Sequence, residues 1–314
     1  MAKPRIYIDG QEGTTGLRIF ERFAGRDDIE ILTIDPALRK DPAERSRLIN
    51  ASDITFLCLP DAAAREAVSL ATSDHVRIID ASTAHRTHPD WAYGFPELSP
   101  ARREAIAVGR RIANPGCHAT GFISLVYPLV TAGVLPADTQ LSCFSLTGYS
   151  GGGKKMIAQY EDDARDAALD SPRPYGLTQQ HKHLPEMQKV CGLSRAPLFT
   201  PIVADYYAGM LVSVPLAAQQ LRGVSSLAQL HECYADAYAG QKLIRVMPPD
   251  AQSAGFLAAN GCAGWDGLEI HITGNDERMT VCARFDNLGK GASGAAVQSM
   301  NIMLGCDEAK GLNL

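Results

Sequence analysis

The sequence predicts an α/β chain in two domains, a doubly wound parallel sheet followed by an α+β domain with a mixed, largely antiparallel sheet. Three observations predict it. Apolar runs rich in Ile, Val and Leu alternate with amphipathic stretches through the first hundred residues, as strands covered on both faces require. From about Ser142 the pattern changes to short apolar runs separated by connections rich in Gly, Pro and His. At 314 residues, finally, the chain exceeds what one small core organises.

The elements follow in order. Arg5 to Asp9 reads as a strand, Thr15 to Ala24 as an amphipathic helix and Ile29 to Ile34 as a second strand. After the polar Arg39-Lys40-Asp41 comes a helix over Pro42 to Asn50, then the strand Ile54 to Leu59, the helix Ala62 to Thr72 and the strands Val76 to Asp80 and Arg110 to Ala113. In the second half, strands are predicted over 141–146, 198–203, 210–216, 243–246, 268–273 and 279–285, with helices over 154–169 and 227–238. Ala295 to Leu304 closes the chain as a helix whose small-residue entry, Gly289-Lys290-Gly291-Ala292-Ser293-Gly294, permits close approach to a ligand.

The turn between the first strand and first helix, Gly10-Gln11-Glu12-Gly13-Thr14-Thr15-Gly16, is spaced GxxGxxG. Glycines let the backbone approach a phosphate, and the helix start supplies unpaired amides and positive potential, so the first half reads as a Rossmann-like dinucleotide-binding domain. Asp35, near the end of the second strand, suits the ribose hydroxyls of NAD, whereas Arg39 and Lys40 suit a 2′-phosphate. These two features pull in opposite directions.

Pro115-Gly116 forces a sharp turn after a strand, and beyond it Phe122, Leu125, Val126, Leu129 and Val130 recur at helical spacing. Cys117 therefore stands at a helix start, where the dipole favours a thiolate and hence a nucleophile. A dinucleotide-binding domain and an activated cysteine together point to one reaction class: the sulfur takes an acyl group as a thioester, and the nicotinamide exchanges hydride with that carbonyl. His181 and His183, set two apart on what reads as an extended segment before Pro185, are the acid/base candidates, with Glu186 placed to orient one of them. Arg86, after the strand ending at Asp80, and Lys154, after Ser150-Gly151-Gly152-Gly153, are candidate anion partners. A metal site is not expected, because no third and fourth ligand accompany His-x-His.

Composition excludes other classes. Thirty basic against 35 acidic residues give a net charge of −5 and no basic run interleaved with aromatics, which argues against nucleic-acid binding. Eight scattered cysteines without CxxC spacing fit reduced thiols in a cytoplasmic protein. The start, running from Met1 straight into Ile6-Tyr7-Ile8, leaves no room for a signal peptide. The longest apolar stretch, residues 120–135, is broken by Pro128 and Gly133 and falls short of the roughly 20 residues a membrane span needs.

Seven stretches spread along nearly the whole chain carry a resemblance. They are residues 9–16, Phe56-Leu57-Cys58-Leu59-Pro60-Asp61, Tyr93-Gly94-Phe95-Pro96-Glu97-Leu98, Asn114-Pro115-Gly116-Cys117, residues 149–155, His181-Lys182-His183-Leu184-Pro185-Glu186 and residues 286–294. In these the sequence resembles the shorter form of the N-acetyl-γ-glutamyl-phosphate reductases, within the semialdehyde dehydrogenase superfamily. The resemblance implies NADP as cofactor and reduction of N-acetyl-γ-glutamyl phosphate to N-acetylglutamate 5-semialdehyde with release of inorganic phosphate, through a Cys117 thioester, in arginine biosynthesis. It implies a homo-oligomer, dimer or tetramer, and a last helix that returns to the cofactor domain. Residues 1–115 with 292–314 then form the NADP-binding domain, and 116–291 the catalytic and oligomerisation domain.

On this basis the cofactor candidates are Gly10, Gly13, Thr14, Thr15, Gly16, Arg39, Pro60, Ser82, Asn287 and Gly289. The substrate candidates are Arg86, Glu97, Asn114, Ser150 and Lys154, and the catalytic ones Cys117, His183 and His181. One departure stands out: the family usually has an aromatic residue after the cysteine, and here it is His118, a third histidine whose ring, one residue along the helix, is expected to point away from the sulfur. The nearest alternative is an aspartate-semialdehyde dehydrogenase or a related acyl-phosphate reductase, including one acting on a carrier-linked aminoadipyl phosphate. From other classes come a nucleotide-sensing protein without catalysis, which would need no thiolate at Cys117, and a cysteine hydrolase, which would leave the glycine turn unexplained.

Overall fold

The computed structural model describes residues 2–249, 251 and 255–314. Its chain leaves a first unit at Pro115, builds a second from Gly116 to Gly291, and returns to the first over Ala292–Leu312. Asn313 and Leu314, expected in the first unit, belong to the second: the amide of Asp266 donates to the Asn313 carbonyl at 2.8 Å, and the Asn313 amide donates to the Asp266 carboxylate at 3.0 Å.

The first unit contains β1 (Arg5–Asp9), α1 (Thr14–Arg22), β2 (Glu30–Leu32), α2 (Pro42–Ala51), β3 (Ile54–Leu57), α3 (Asp61–Leu70), β4 (Arg77–Asp80), β5 (Ala92–Tyr93), α4 (Pro100–Val108) and β6 (Arg111–Ala113). Its sheet has the order β2-β1-β3-β4-β6-β5, with every pair parallel. Alternate residues feed two cores. Ile6, Ile8, Ile54 and Phe56 pack on one face and Tyr7, Leu57 and Ile78 on the other, which is why these strands read as continuous apolar runs. The strand order reverses between β1 and β3, so the glycine turn after β1 lies at the switch point where open α/β sheets bind ligands. Asp41 caps α2, accepting from the Glu44 amide at 2.9 Å with Pro42 at the first helical position. Ser99 and Pro100 start α4 in the same way, but α4 buries only Ile106 and shows almost no apolar period in the sequence.

The second unit contains α5 (Cys117–Thr131), β7 (Ser142–Gly148), α6 (Gly153–Tyr160), β8 (Arg173–Pro174), α7 (Leu184–Cys191), β9 (Leu198–Ala204), β10 (Met210–Ala217), α8 (Leu227–Ala237), β11 (Ile244–Val246), β12 (Leu268–Gly274) and β13 (Arg278–Phe285). Its sheet runs β11-β12-β13-β10-β7-β9-β8; β7–β9 and β11–β12 are parallel and the other pairs antiparallel. The helix expected over 154–169 stops at Tyr160. Aspartates end it by offering the backbone local partners: Asp162 accepts from the Ala164 amide, and Asp166 caps a separate turn, Ala167–Asp170. The last helix, α9 (Gly294–Leu304), belongs to the first unit, where it packs on α1 and α4.

Helix α5 is buried almost throughout, against β10, β13, α7 and α8. At Gly121 a Cβ would lie 2.3 Å from Val212 Cγ2 and 2.9 Å from Phe285 Cε1, so only glycine lets the helix lie this close to the sheet. Pro128 inside α5 lacks the amide that would serve the Ser124 carbonyl four residues earlier. The Tyr238 hydroxyl supplies that bond from just beyond α8, at 2.7 Å, and the Tyr234 hydroxyl donates to the neighbouring Leu125 carbonyl at 2.6 Å.

Tyr238→Phe should therefore leave a buried carbonyl unserved and destabilise the protein by about 1–3 kcal/mol. In a Pro128→Ala background, where the helix again has its own donor, the penalty should shrink. Urea midpoints of the four proteins test this; an equal penalty in both backgrounds would refute the compensation.

Candidate active site

The first unit holds a cavity of about 710 Å³ at the carboxyl ends of β1, β2 and β3, lined by Gly10, Gly13, Arg39 and Lys40 among others. Gly10 is what shapes its floor: its φ of +86° disfavours a side chain, and a Cβ there would lie 2.4 Å from the Cys58 carbonyl oxygen. Helix α1 starts at Thr14 with no side-chain cap on Gly13, and the Thr14 hydroxyl is buried without a hydrogen-bond partner. Uncapped amides and an unserved hydroxyl at a glycine turn fit a pyrophosphate. Thr15 and Gly16 continue the helix, and Pro60 starts α3 after Cys58 and Leu59, which line the cavity.

The two features that opposed each other in the sequence are separated here. The Asp35 carboxylate accepts from the Ala37 amide at 2.9 Å and does not line the cavity, whereas Arg39 and Lys40 do. Arg39 is paired with Glu12 of the glycine turn at 2.5 Å. Deeper in the cavity wall, buried Arg45 bridges Asp9 at 2.9 Å and Glu66 at 3.0 Å. Burial pushes the Asp9 carboxyl up, against the pull of Arg45.

At the ends of β4 and β6 the first unit gathers Ser82, Arg86 and Asn114. Arg86 donates from Nε to the Asn114 carbonyl at 2.9 Å and from Nη2 to the Ala81 carbonyl at 3.0 Å, which fixes its guanidinium at the sheet edge. Asn114 donates to the Ala292 carbonyl, while its side-chain oxygen is buried without a hydrogen-bond partner. The Ser82 hydroxyl donates to Asp80 at 2.7 Å, and His85 lies 2.6 Å from the same carboxylate oxygen. Glu97, after β5, is buried and accepts from Gln298 of α9 at 2.8 Å.

In the second unit Cys117 is the first residue of α5 and is partly exposed; Gly116, before it, has no side chain to cap the helix. The Gly116 amide donates to Glu186 of α7 at 3.3 Å, tying the helix start to the segment that carries the histidines. His181 and His183 stand on a turn rather than the expected extended segment. The Leu184 amide closes the turn onto the His181 carbonyl, and His183 has φ −87° and ψ −13°. Their rings meet edge to face at 4.7 Å, and the His183 amide donates to His181 Nδ1, which leaves Nε2 to carry the proton of a neutral His181.

His118 joins them, its ring 5.5 Å from His181 and 5.6 Å from His183. The Ser145 hydroxyl lies 2.6 Å from its Nδ1 and the Tyr175 hydroxyl 2.6 Å from its Nε2. Burial lowers the His118 pKa to about 3, so the ring is neutral, donating to one hydroxyl and accepting from the other. Burial, and then the neighbouring Cys117, push the Tyr175 hydroxyl up and keep it protonated. Ser150, also buried, accepts from the Asn287 side chain at 3.0 Å, and Lys154 is exposed on the first turn of α6. Asn287 and Gly289, grouped with the cofactor residues on sequence, thus fall in the second unit.

Comparison with known proteins decides the family. Residues 8–106 match the semialdehyde dehydrogenase NAD-binding domain, and residues 117–287 the semialdehyde dehydrogenase dimerisation domain. The N-acetyl-gamma-glutamyl-phosphate reductase 2 of Nostoc sp. is 47% identical over 99% of this chain and 100% of its own length. That of Brucella anthropi, named N-acetyl-gamma-glutamyl-phosphate reductase, is 49% identical over 96% of this chain and 99% of its own. The chain belongs to the N-acetyl-gamma-glutamyl-phosphate reductases. Among solved structures, aspartate semialdehyde dehydrogenase II of Vibrio cholerae shares the fold of this reductase, with a TM-score of 0.73 at 16% identity over 97% of this chain and 99% of that one. The reductase is thus an oxidoreductase of the semialdehyde dehydrogenase family with two domains of that family in tandem. No helix among its described residues is long and apolar enough to cross a membrane.

Sequence reasoning missed Tyr175, Ser145, Asp9 and Arg45. Tyr175 lies between glycine and proline in a loop without periodicity, and Ser145 is one polar residue within an apolar run, so neither carries a signal on its own. Asp9 and Arg45 are 36 residues apart and are joined only when α2 docks beside β1.

The depressed His118 pKa ties acidity to stability. The unfolded chain takes up this proton near pH 6.5 and the folded one only near 3, so stability held above pH 6.5 is lost as pH falls through that window. His118→Asn should flatten the acid limb of a plot of unfolding free energy against pH by up to about 1.4 kcal/mol per pH unit. Parallel acid limbs for the parent and the variant would refute this.

Proposed function

We propose that this chain reduces N-acetyl-γ-glutamyl phosphate to N-acetylglutamate 5-semialdehyde with NADPH, releasing inorganic phosphate, as a cytoplasmic homo-oligomer in arginine biosynthesis. The observation that carries the chemistry is the start of α5, where an uncapped helix terminus presents Cys117 and the Gly116–Glu186 bond brings up the turn bearing His181 and His183. The Cys117 thiolate attacks the acyl carbon, the carbon–oxygen bond to phosphate breaks, and a thioester remains on the sulfur. When bound, NADPH supplies the hydride that reduces this thioester carbonyl. Collapse of the resulting thiohemiacetal then frees the aldehyde and the thiolate.

His183 and His181 hold the acid/base role. Both ring nitrogens of His118 already face hydroxyls, and its lowered pKa keeps it from carrying a proton at neutral pH, so it serves as a strut beneath the pair. Arg86, held by two carbonyls, turns its guanidinium to an anionic group of the substrate, and Asn114 offers its side-chain oxygen to a donor group; Ser150 and Lys154 are the substrate candidates of the second unit. Glu97 acts at a distance by anchoring α9 through Gln298. Gly10, Gly13, Thr14, Thr15 and Gly16 take the pyrophosphate, with Pro60 and Ser82 lining the cofactor's path, and Asn287 and Gly289 shape the turn that precedes α9. NADP is favoured over NAD because Arg39 and Lys40 line the cavity while Asp35 is committed to its own turn.

Phosphate-dependent reduction of NADP by N-acetylglutamate 5-semialdehyde, set against the same assay with aspartate semialdehyde, tests the substrate. A higher kcat/KM on aspartate semialdehyde would overturn the reading. Cys117→Ser should abolish turnover and leave cofactor affinity nearly unchanged, since a hydroxyl stays protonated there. His183→Asn or His181→Asn should slow the rate by about 10²–10⁴. If only His118→Asn does so, the assignment of the pair fails. Neutralising Arg39 and Lys40 together should weaken NADPH about tenfold or more while NADH changes little. A parent enzyme that prefers NADH would refute the cofactor assignment.

A further inference from the structure

The glycine turn carries a carboxylate that phosphate binding alone does not require. Glu12 lines the cavity, and both of its oxygens accept from Nη1 of Arg39 at 2.5 Å. The other carboxylates of the same wall, Asp9 and Glu66, are both paired with Arg45. Asp35, the carboxylate best placed in sequence to oppose a 2′-phosphate, is bound to the Ala37 amide and outside the cavity lining. That leaves Glu12 as the acid paired with a cation assigned to the 2′-phosphate.

We propose that Glu12 is a specificity-determining residue which occupies Arg39 in place of the 2′-phosphate, so that NADPH must displace it and NADH need not. The inference rests on the NADPH reading above. Both side chains of the pair are half-exposed, 50% for Arg39 and 61% for Glu12, so the pair is weak enough for a phosphate dianion to displace. NADPH must first break this pair, and the stabilisation lost with it is subtracted from the binding of the phosphate. Glu12 therefore weakens NADPH selectively and narrows the gap between the two cofactors. NADH, with a neutral ribose hydroxyl at that position, leaves the pair intact.

Dissociation constants of NADPH and NADH, read from nicotinamide fluorescence with the intact protein, test this in the parent, Glu12→Gln, Arg39→Gln and the double variant. Glu12→Gln should tighten NADPH about two- to fivefold and leave NADH within about 1.5-fold, the scale of a half-exposed ion pair. The gain should shrink as salt is raised. It should vanish in the Arg39→Gln background, because the carboxylate then has no cation to withhold. Weaker or unchanged NADPH binding in Glu12→Gln would overturn the proposal, since Glu12 would then preorganise Arg39 or do nothing. An equal gain for NADH, or an equal gain without Arg39, would overturn it as well. If Arg39→Gln leaves NADPH affinity unmoved, the 2′-phosphate reading falls too; an affinity that depends on Arg39 but ignores Glu12 sinks this inference alone.

Discussion

The burial of α5 is the constraint on which the second unit depends. A helix with almost every side chain inside must find partners on all sides, and it finds them in β10 and β13 through the gap at Gly121, in α8 through two tyrosine hydroxyls, and in α7 through the Gly116–Glu186 bond. Each contact removes a degree of freedom from the helix start. The sulfur of Cys117 inherits that rigidity, since the residue that carries it is the first of the helix. The histidines inherit it at one remove, because their turn leads directly into α7.

Much of this was legible in the sequence, for reasons that differ by element. The parallel sheet was legible because strands buried on both faces have no polar alternation to confuse them with surface structure: Ile6-Tyr7-Ile8 and Ile54-Thr55-Phe56-Leu57 are almost wholly inside. Cys117 was legible because Pro115-Gly116 announces a turn and the apolar period after it announces a helix. The weak points lay where short-range chemistry overrides period. Asp162 and Asp166 stop α6 by capturing backbone amides, and α4 carries a single buried apolar residue beneath its Ser-Pro start.

The candidate site was less legible than the fold because its decisive contacts are long-range. Nothing in the run 142–148 marks Ser145 as a partner of His118, and nothing near Gly176 marks the Tyr175 hydroxyl as the other. The histidine pair was found from spacing, but its backbone was read as extended where a turn brings the rings edge to face. A buried neutral third histidine is a result of packing, which no spacing rule reports. The direction of Asp35 likewise followed from a local turn, in which its carboxylate serves its own backbone two residues on.

That last turn has a consequence for how such an enzyme changes over generations. Residues 35–40 are all exposed and contribute nothing to either core of the first unit, yet Arg39 and Lys40 among them line its cavity. Substitutions there are nearly free in folding terms, because exposed positions away from caps and cores change stability by about 0.5 kcal/mol or less. The buried helix that begins at Cys117 has no such latitude. The charge lining the cavity can therefore drift over generations while α5 stays fixed, a division of evolvability that follows from where each residue is anchored.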